Sequence, residues 1–558
     1  MHSTGSHLKN WWKSGDPWVW MTAAAVAASM IMVVGLLILI AIRGLGHYWP
    51  ASIHEMAYQE SDGKQVRVIG EVVEIESVLA STVRETGYPV DTSIETVERY
   101  LLKTGNRDVD GFDFRWLVSS GVSRDETPAD LLAMERHEWG NYYGYLRSVK
   151  IDGKAVEAEG EALWTVMQER IEHATALHEQ IRGIEKHDSG AINYALERLR
   201  LKQRGLELEG KLTDEALAEM SAERAKLDQR YEVLNEQLGK LYGQVERDSL
   251  VLEERGGQQI EMKVSTVVRA YRPNAMSLLQ KIGFYFTKLW EFVSDEPREA
   301  NTEGGIFPAI FGTVMMVILM SVVVTPFGVI AAVYLREYAK QGPMTRTIRI
   351  AVNNLAGVPS IVYGVFGLGF FVYFLGGNID DLFFPEAQPA PTFGTPGIFW
   401  AALTLAILTL PVVIVATEEG LSRIPRSIRE GSLALGATKA ETLWRTVLPM
   451  ASPAMMTGLI LAVARAAGEV APLMLVGVVK LAPTLPLDGN FPFLHLERKF
   501  MHLGFHIYDV GFQSPNVEAA RPLVYATSLL LVVVIIALNL AAIAIRNHLR
   551  EKYRALEN

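Results

Sequence analysis

Two opposite charges stand inside an otherwise apolar stretch of this sequence, 453–475, which reads PAMMTGLILAVARAAGEVAPLML. Arg465 and Glu469 are four residues apart, so they share one face if the stretch is helical. Arg465 would then lie about 18 Å along the helix from Pro453, near the middle of a bilayer, where a charge costs at least about 2.5–3.5 kcal/mol. Charges at that depth are functional candidates by default, and an ion pair that only joins helices is the alternative.

The chemistry open to this pair is anion recognition. A guanidinium presents planar, forked donors that match the oxygens of a phosphate group. Glu469 can hold Arg465 in position, neutralise it in the empty state, and accept a hydrogen bond from a protonated oxygen of the anion. A sulfate dianion carries no such proton, so the carboxylate would disfavour it.

A second stretch, 424–449, reads IPRSIREGSLALGATKAETLWRTVLP and predicts two short amphipathic helices. Gly436 can supply the left-handed residue that ends the first helix. Thr438 and Glu441 have the spacing of a capping box for the second helix, and Pro449 is expected to stop that helix before the next apolar run. Such a hairpin, projecting from a membrane face, could transmit force from a cytosolic partner protein to the membrane spans.

Six apolar runs have the length needed to cross a bilayer. They are about 18–42, 306–335, 355–376, 398–417, 453–479 and 522–545. The first is too long for the apolar part of a signal peptide and lacks an A-x-A site near its end, so we expect a retained span.

The charge of the loops predicts how these spans are oriented. Arginine and lysine are concentrated in the 336–349 and 423–445 loops and in the C-terminal tail, whereas the 377–397 loop has acids and no base. Only the 480–521 loop is mixed. The positive-inside rule therefore predicts that both termini are cytoplasmic and that residues 47–305 lie outside.

The 47–305 segment has a soluble pattern of its own. Alternating runs at 65–78, 114–120, 142–151 and 259–271 predict the strands of a small β-sheet. Heptad-like apolar spacing over about 160–248, with breaks at 187–190 and at Gly210, predicts an antiparallel coiled-coil stalk. An amphipathic helix follows at about 274–293, and it suits either a membrane interface or packing on the domain itself.

Composition removes several classes of function. The 558 residues include no cysteine, so disulfides, thiolate catalysis and Cys-based zinc sites are excluded. A net charge of −10 argues against general binding of nucleic acid. The irregular spacing of His495, His502 and His506 favours surface histidines over a metal site, and we expect no bound metal.

The 424–449 hairpin resembles the EAA loop of bacterial ABC-importer permeases. Glu430, Gly436, Leu448 and Pro449 are in register with that pattern, although glycine and serine replace its two alanines. In the family this loop sits in a groove of a separate ATPase subunit. The chain has no G-x-x-x-x-G-K-[ST] motif, so ATP and magnesium are expected to be used by that partner, with no cofactor bound here.

Residues 300–546 further resemble the permeases of the phosphate-specific transport system. The resemblance rests on TEGGIFPAIFGT, ALGATK and TGLILAVARAAGE, and it is stronger to the A-type than to the C-type subunit. It implies a heterodimer with a C-type permease, two ABC ATPase subunits and a periplasmic phosphate-binding protein. An Arg and a Glu of this helix are associated with anion passage in the family, and Arg465 and Glu469 match them.

Together these patterns predict an all-α polytopic protein of the bacterial inner membrane with the type I ABC-importer permease fold and a large periplasmic α+β domain. The expected divisions are 1–46 (N-terminus and first span), 47–305 (periplasmic domain), 306–546 (permease core) and 547–558 (cytoplasmic tail). The implied function is passage of inorganic phosphate through a subunit that is not itself an enzyme. The alternatives are a permease for sulfate or molybdate, the C-type partner, and a sensory receptor, which the loops and tail are too short to support.

Overall fold

The computed structural model of the chain describes residues 11–514 and 517–553. The outermost parts of the two predicted cytoplasmic termini, 1–10 and 554–558, lie outside the described residues. Six helices in the described part have the length and apolar composition of membrane spans, as the sequence predicted. They are TM1 Asp16–Gly46, TM2 Phe307–Tyr338, TM3 Ser360–Phe383, TM4 Ile398–Arg423, TM5 Lys439–Gly468 and TM6 Ala520–His548.

TM4 is the most deeply buried of these spans, and small residues let its neighbours approach it closely. A β-carbon added at Gly328 of TM2 would lie 2.6 Å from a methyl of Val413. One added at Gly458 of TM5 would lie 2.7 Å from Cβ of Ala416. Such glycines let the backbones of membrane helices approach each other closely. In lipid, this close packing drives the association of helices in place of the hydrophobic effect.

The region between TM1 and TM2 contains strands and helices. The strands are β1 Ile53–Gln59, β2 Gln65–Leu79, β3 Thr96–Lys103, β4 Phe114–Val118, β5 Val122–Glu126, β6 Leu132–Arg136, β7 Tyr142–Ile151, β8 Lys154–Ala155, β9 Ser249–Glu253, β10 Gln259–Lys263, β11 Val267–Tyr271, β12 Pro297–Arg298 and β13 Glu303–Gly304. They form one five-stranded sheet in the order β4-β3-β2-β1-β5, one six-stranded sheet in the order β10-β9-β7-β6-β11 with β8 paired to β7, and the short pair β12-β13. The neighbouring strands are antiparallel.

The prediction of one small sheet was therefore wrong. The 259–271 run, expected as a single strand, is β10 and β11 joined by the short helical turn Val264–Thr266. This turn takes the chain from one edge of the six-stranded sheet to the other. Strand β6 was not predicted. All five of its residues are buried, so it lacks the alternation of buried and exposed residues that marks a half-buried strand.

A long helical segment, called the arm here, extends from Gly160 to Val245. The helix Gly160–Gly183 continues through a π-helical turn, Ile184–Ser189, into Gly190–Leu208, so the predicted break at 187–190 is wrong. The chain reverses at Gly210, whose φ is +66°, as predicted, and returns as the helix Asp214–Val245.

The predicted coiled coil is not confirmed, because the apolar stripe of the first arm helix packs mainly on the six-stranded sheet. Its buried members are Leu163, Met167, Ile171, Ala174, Leu177 and Ile181, which share a core with Leu132, Leu250 and Leu252 of the sheet. The returning helix contributes only the residues near its end, such as Leu241 and Val245. Heptad spacing is the same whether a helix faces a sheet or another helix.

The predicted amphipathic helix is Leu278–Ser294, called the boundary helix here. It begins with a capping box in which the Ser277 hydroxyl accepts from the Gln280 amide. It leads into TM2, where the amide of Ile306 donates to the carbonyl of Phe292 at 2.9 Å.

Candidate functional site

TM5 ends earlier than predicted, and Arg465 lies in its last turn. The helical part Leu448–Gly468 stops at Gly468, and Glu469 has extended backbone angles (φ −79°, ψ 131°). The glycine weakens the helix, and Pro472 disfavours helical geometry in the residue before it. The predictions that the span continues to 479 and that Glu469 shares its helix were therefore wrong.

Glu469 nevertheless stays beside Arg465. The Nε atom of Arg465 lies 3.4 Å from Oε1 of Glu469, and the two side chains are 33% and 21% exposed. This separation is that of an ion pair and is longer than a good hydrogen bond. The pair is thus close enough to neutralise Arg465 partly and open enough for a further anion to approach.

The level of Arg465 in the membrane follows from its packing partners. Gly458 of TM5 faces Ala416 of the antiparallel TM4. Seven residues further along TM5, Arg465 is therefore level with the part of TM4 that lies 12 residues after Gly397, which is about 18 Å along the helix axis at 1.5 Å of rise per residue. The amide of Gly397 donates to the carbonyl of Val476 at 3.0 Å, so residues 469–476 complete the crossing. Arg465 therefore lies at a helix break within the apolar layer, which is tolerated where protein covers the backbone.

TM3 covers this break through its glycines. A β-carbon at Gly364 would lie 2.7 Å from Cα of Pro472, and one at Gly367 would lie 2.3 Å from Oγ1 of Thr404. These two glycines are therefore helix-packing residues.

The hairpin between TM4 and TM5 has the two predicted helices. The first is Arg426–Ala434, and Gly436 follows with φ +88°. The capping box is present, since the Glu441 amide donates to the Thr438 hydroxyl at 3.2 Å and the Thr438 amide donates to the Glu441 carboxylate at 2.9 Å.

Pro449 does not stop the second helix. A π-helical turn, Leu443–Val447, joins the helix Lys439–Thr442 to Leu448–Gly468, so the hairpin and TM5 are continuous. Pro449 lies in the first turn after this wider turn, where its missing amide hydrogen costs little. A displacement of the hairpin would thus be passed directly to the helix that carries Arg465.

Arg429 fixes the hairpin to the ends of two spans. Its guanidinium donates to the carbonyls of Ile424 at 2.7 Å and Leu421 at 2.9 Å, and to the Glu337 carboxylate at 2.8 Å. Lys439 adds a hydrogen bond to the carbonyl of Glu337. We call these contacts the Arg429 brace.

Sequence reasoning missed the Arg429 brace and counted Arg429 only as a loop charge. The available signal was Glu337, the single acid in the basic loop 336–349.

The tip of the hairpin is exposed and apolar. Leu435 is 90% exposed and Trp444 is 73% exposed, while Leu433 and the carboxylate of Glu430 also face outward. Such a group of exposed large apolar side chains is typical of a protein interaction surface.

The three loop histidines are buried, so the prediction of surface histidines was wrong. His495 contacts Asp488 at 3.0 Å and Glu497 at 3.1 Å. Burial lowers the pKa of His502 to about 3. Within the described ranges no cluster of His, Cys, Asp and Glu has the arrangement of a metal site.

Six spans, a basic helical hairpin and a charged pair at a helix break define a polytopic transport permease. The family described as the binding-protein-dependent transport system inner membrane component matches residues 324–555, which include the hairpin and Arg465.

Comparison with individual proteins narrows the class of transport permease to which the chain belongs. The phosphate transport system permease protein PstA 1 of Mycobacterium tuberculosis (strain CDC 1551 / Oshkosh) is 36% identical over 247 residues, covering 44% of this chain and 71% of that relative. The probable ABC transporter permease protein YqgI of Bacillus subtilis (strain 168) is 30% identical, covering 45% and 81%. The probable phosphate transport system permease protein PstA of Methanocaldococcus jannaschii is 29% identical, covering 42% and 74%. The chain therefore belongs to the PstA-type permeases of binding-protein-dependent transport systems.

Proposed function

We propose that this chain is the permease subunit of an ATP-driven importer of inorganic phosphate. One observation carries the proposal: a single continuous helix joins the exposed hairpin to Arg465 at the helix break. Arg465 supplies the forked donors that phosphate oxygens require, and Glu469 favours a protonated oxyanion. The names of two of the three relatives as phosphate permeases support this choice of substrate.

The proposed orientation has both termini in the cytoplasm and residues 47–305 in the periplasm. The orientation rests on the loops in which arginine and lysine are concentrated on one side, and the 480–521 loop, with four bases, departs from that pattern. Two of these bases lie in ion pairs of the folded protein, since Lys480 lies 3.1 Å from Asp509 and Arg498 lies 2.6 Å from Asp488.

In this account the hairpin tip enters a groove of a separate ABC ATPase subunit, present in two copies. Leu435 and Trp444 would supply the apolar contact, while ATP and magnesium act in the partner. Closure of the ATPases would displace the hairpin, and the Arg429 brace would move TM2 and TM4 with it. A C-type permease would complete the pathway from the other side of the Arg465 pair.

The arm is proposed to act on the outer mouth, in a docking or gating role around a periplasmic phosphate-binding protein. The Tyr194 hydroxyl donates to the carbonyl of Phe491, and its ring meets His495 edge-on at 6.2 Å. The same arm helix passes Glu386 at Gly205, where an added β-carbon would lie 3.9 Å from the Glu386 side chain. The arm thus contacts the loops after TM3 and after TM5.

Transport assays test the substrate. Cells that express the chain with its partners should take up radiolabelled phosphate, and excess sulfate or molybdate should not compete. Competition by either anion at concentrations similar to phosphate would instead assign the chain to another oxyanion. For the arm, Tyr194→Ala should reduce uptake that depends on the binding protein, with Arg200→Ala as control, because Arg200 pairs only locally with Glu197 on the arm surface.

A further inference from the structure

Two charged residues of the boundary helix, Lys288 and Glu291, are directed toward the protein. Lys288 bonds to Glu135 of β6, and it lies 3.5 Å from Glu291 of its own helix. Glu291 in turn bonds to Arg269 of β11. One side of the helix is therefore held on the six-stranded sheet by ion pairs that are largely covered.

The large apolar side chains of the same helix point the other way. The exposed ones are Leu278, Leu279, Ile282, Phe286 and Trp290. At 100° per residue they occupy an arc of about 120°, opposite to Lys288 and Glu291. Leu279 is 81% exposed and Trp290 is 71% exposed. A helix on the surface of a water-soluble domain has the reverse arrangement, with its charges outward.

This apolar face is fixed beside the ends of two spans. Phe292 packs on Tyr48, just after TM1, with 5.2 Å between ring centroids, and Tyr285 lies 6.2 Å from Trp49. The carbonyl of Phe292 accepts from Ile306, next to the beginning of TM2. Exposed apolar residues of TM1, among them Ile42, continue the surface on the membrane side.

We propose that the boundary helix lies in the lipid interface of the bilayer, with the face formed by Leu278, Leu279, Ile282, Phe286 and Trp290 among the lipids. Continuity with the two spans favours lipid over a protein partner, because lipid surrounds the same spans. Trp290 and Trp49 suit this level, since indole rings concentrate at membrane interfaces. The helix thereby seats the two sheets on the membrane, and this inference does not depend on what the chain transports.

Spin labelling tests the proposal directly, because the chain contains no cysteine of its own. Leu279→Cys and Phe286→Cys would each be labelled with a nitroxide in the full chain, in vesicles of phosphatidylcholine and phosphatidylglycerol. Collision with oxygen, which concentrates in lipid, is compared with collision with a water-soluble nickel chelate. Two controls are labelled alike: Thr287→Cys, exposed on the same helix outside the apolar arc, and Ser61→Cys, exposed in the turn between β1 and β2.

The ratio of oxygen to nickel accessibility should be several-fold higher at 279 and 286 than at either control. A ratio at 279 and 286 equal to that at 61 would mean that water covers the face, and it would overturn the proposal. Protection of 279 and 286 from both reagents would mean that protein covers the face, and it would overturn the proposal equally. The variants replace exposed side chains only, and the mobility of the label at 287 reports whether the helix has formed.

Discussion

Removal of the Arg429 side chain should loosen the hairpin while leaving the six spans folded. Arg429→Ala deletes three hydrogen bonds, to Leu421, Ile424 and Glu337. It also leaves the Glu337 carboxylate, which is only 12% exposed, without its guanidinium partner.

The expected magnitude follows from these contacts. Removing one partner of a fully buried ion pair costs about 3–5 kcal/mol, and a hydrogen bond to a charged group is worth about 1.5–3 kcal/mol. Because Arg429 and Glu337 keep some access to water and Lys439 still bonds to residue 337, we expect a loss of about 2 kcal/mol in local stability. That loss corresponds to roughly 30-fold faster amide exchange in the helix Arg426–Ala434, at 1.36 kcal/mol per factor of ten.

Hydrogen–deuterium exchange followed by mass spectrometry measures this rate in the purified full chain. Arg423→Ala is the matched control, because Arg423 is exposed and lies 3.8 Å from Glu419 one turn away. The control should exchange within about twofold of the parent chain, since an exposed pair one helical turn apart contributes only about 0.3–0.5 kcal/mol. Equal exchange in Arg429→Ala and Arg423→Ala would refute the idea that Arg429 holds the hairpin.

Three further predictions concern two glycine positions and the dependence of stability on pH. Gly436→Ala should destabilise the hairpin by about 1–2 kcal/mol because φ is +88°, whereas Gly436→Asn should cost less; exchange of the hairpin amides checks both. Gly364→Ala should lower the thermal stability of the chain in detergent by the equivalent of about 1–3 kcal/mol because Pro472 blocks the added carbon, whereas Gly369→Ala, which meets nothing within 4 Å, should have little effect. Burial lowers the pKa of His502 to about 3, so between about pH 6.5 and pH 3 this histidine is protonated in the unfolded chain but not in the folded chain. The free energy of unfolding should therefore be independent of His502 above about pH 7 and should fall as the pH drops from about 6.5 toward 3. Thermal unfolding of His502→Asn across that range should show a shallower decline, and an unchanged slope would exclude His502 as its source.

The parts of the fold that were predictable depend on neighbours in sequence. The spans follow from apolar length, and the hairpin follows from the Thr438 capping box and from the left-handed residue at Gly436. Both signals are local, so no partner element has to be known in order to interpret them.

The parts that could not be predicted depend on distant partners. Leu163 and Met167 fit a coiled coil or a sheet-facing helix equally well, and only the six-stranded sheet decides between them. The end of TM5 at Gly468 depends on TM3 glycines that accept the non-helical segment around Pro472. The Arg429 brace joins residues 92 positions apart, a separation that no local pattern reports.

In the proposed mechanism Arg465 contacts the transported anion at the break of TM5. This contact is tested by uptake of radiolabelled phosphate in Arg465→Ala, Arg465→Lys and parent cells, each normalised to the amount of chain in the membrane. We expect uptake to be lost in Arg465→Ala and only partly retained in Arg465→Lys, because an ammonium keeps the charge but not the forked donors. Undiminished uptake by Arg465→Ala would show that Arg465 does not contact the anion.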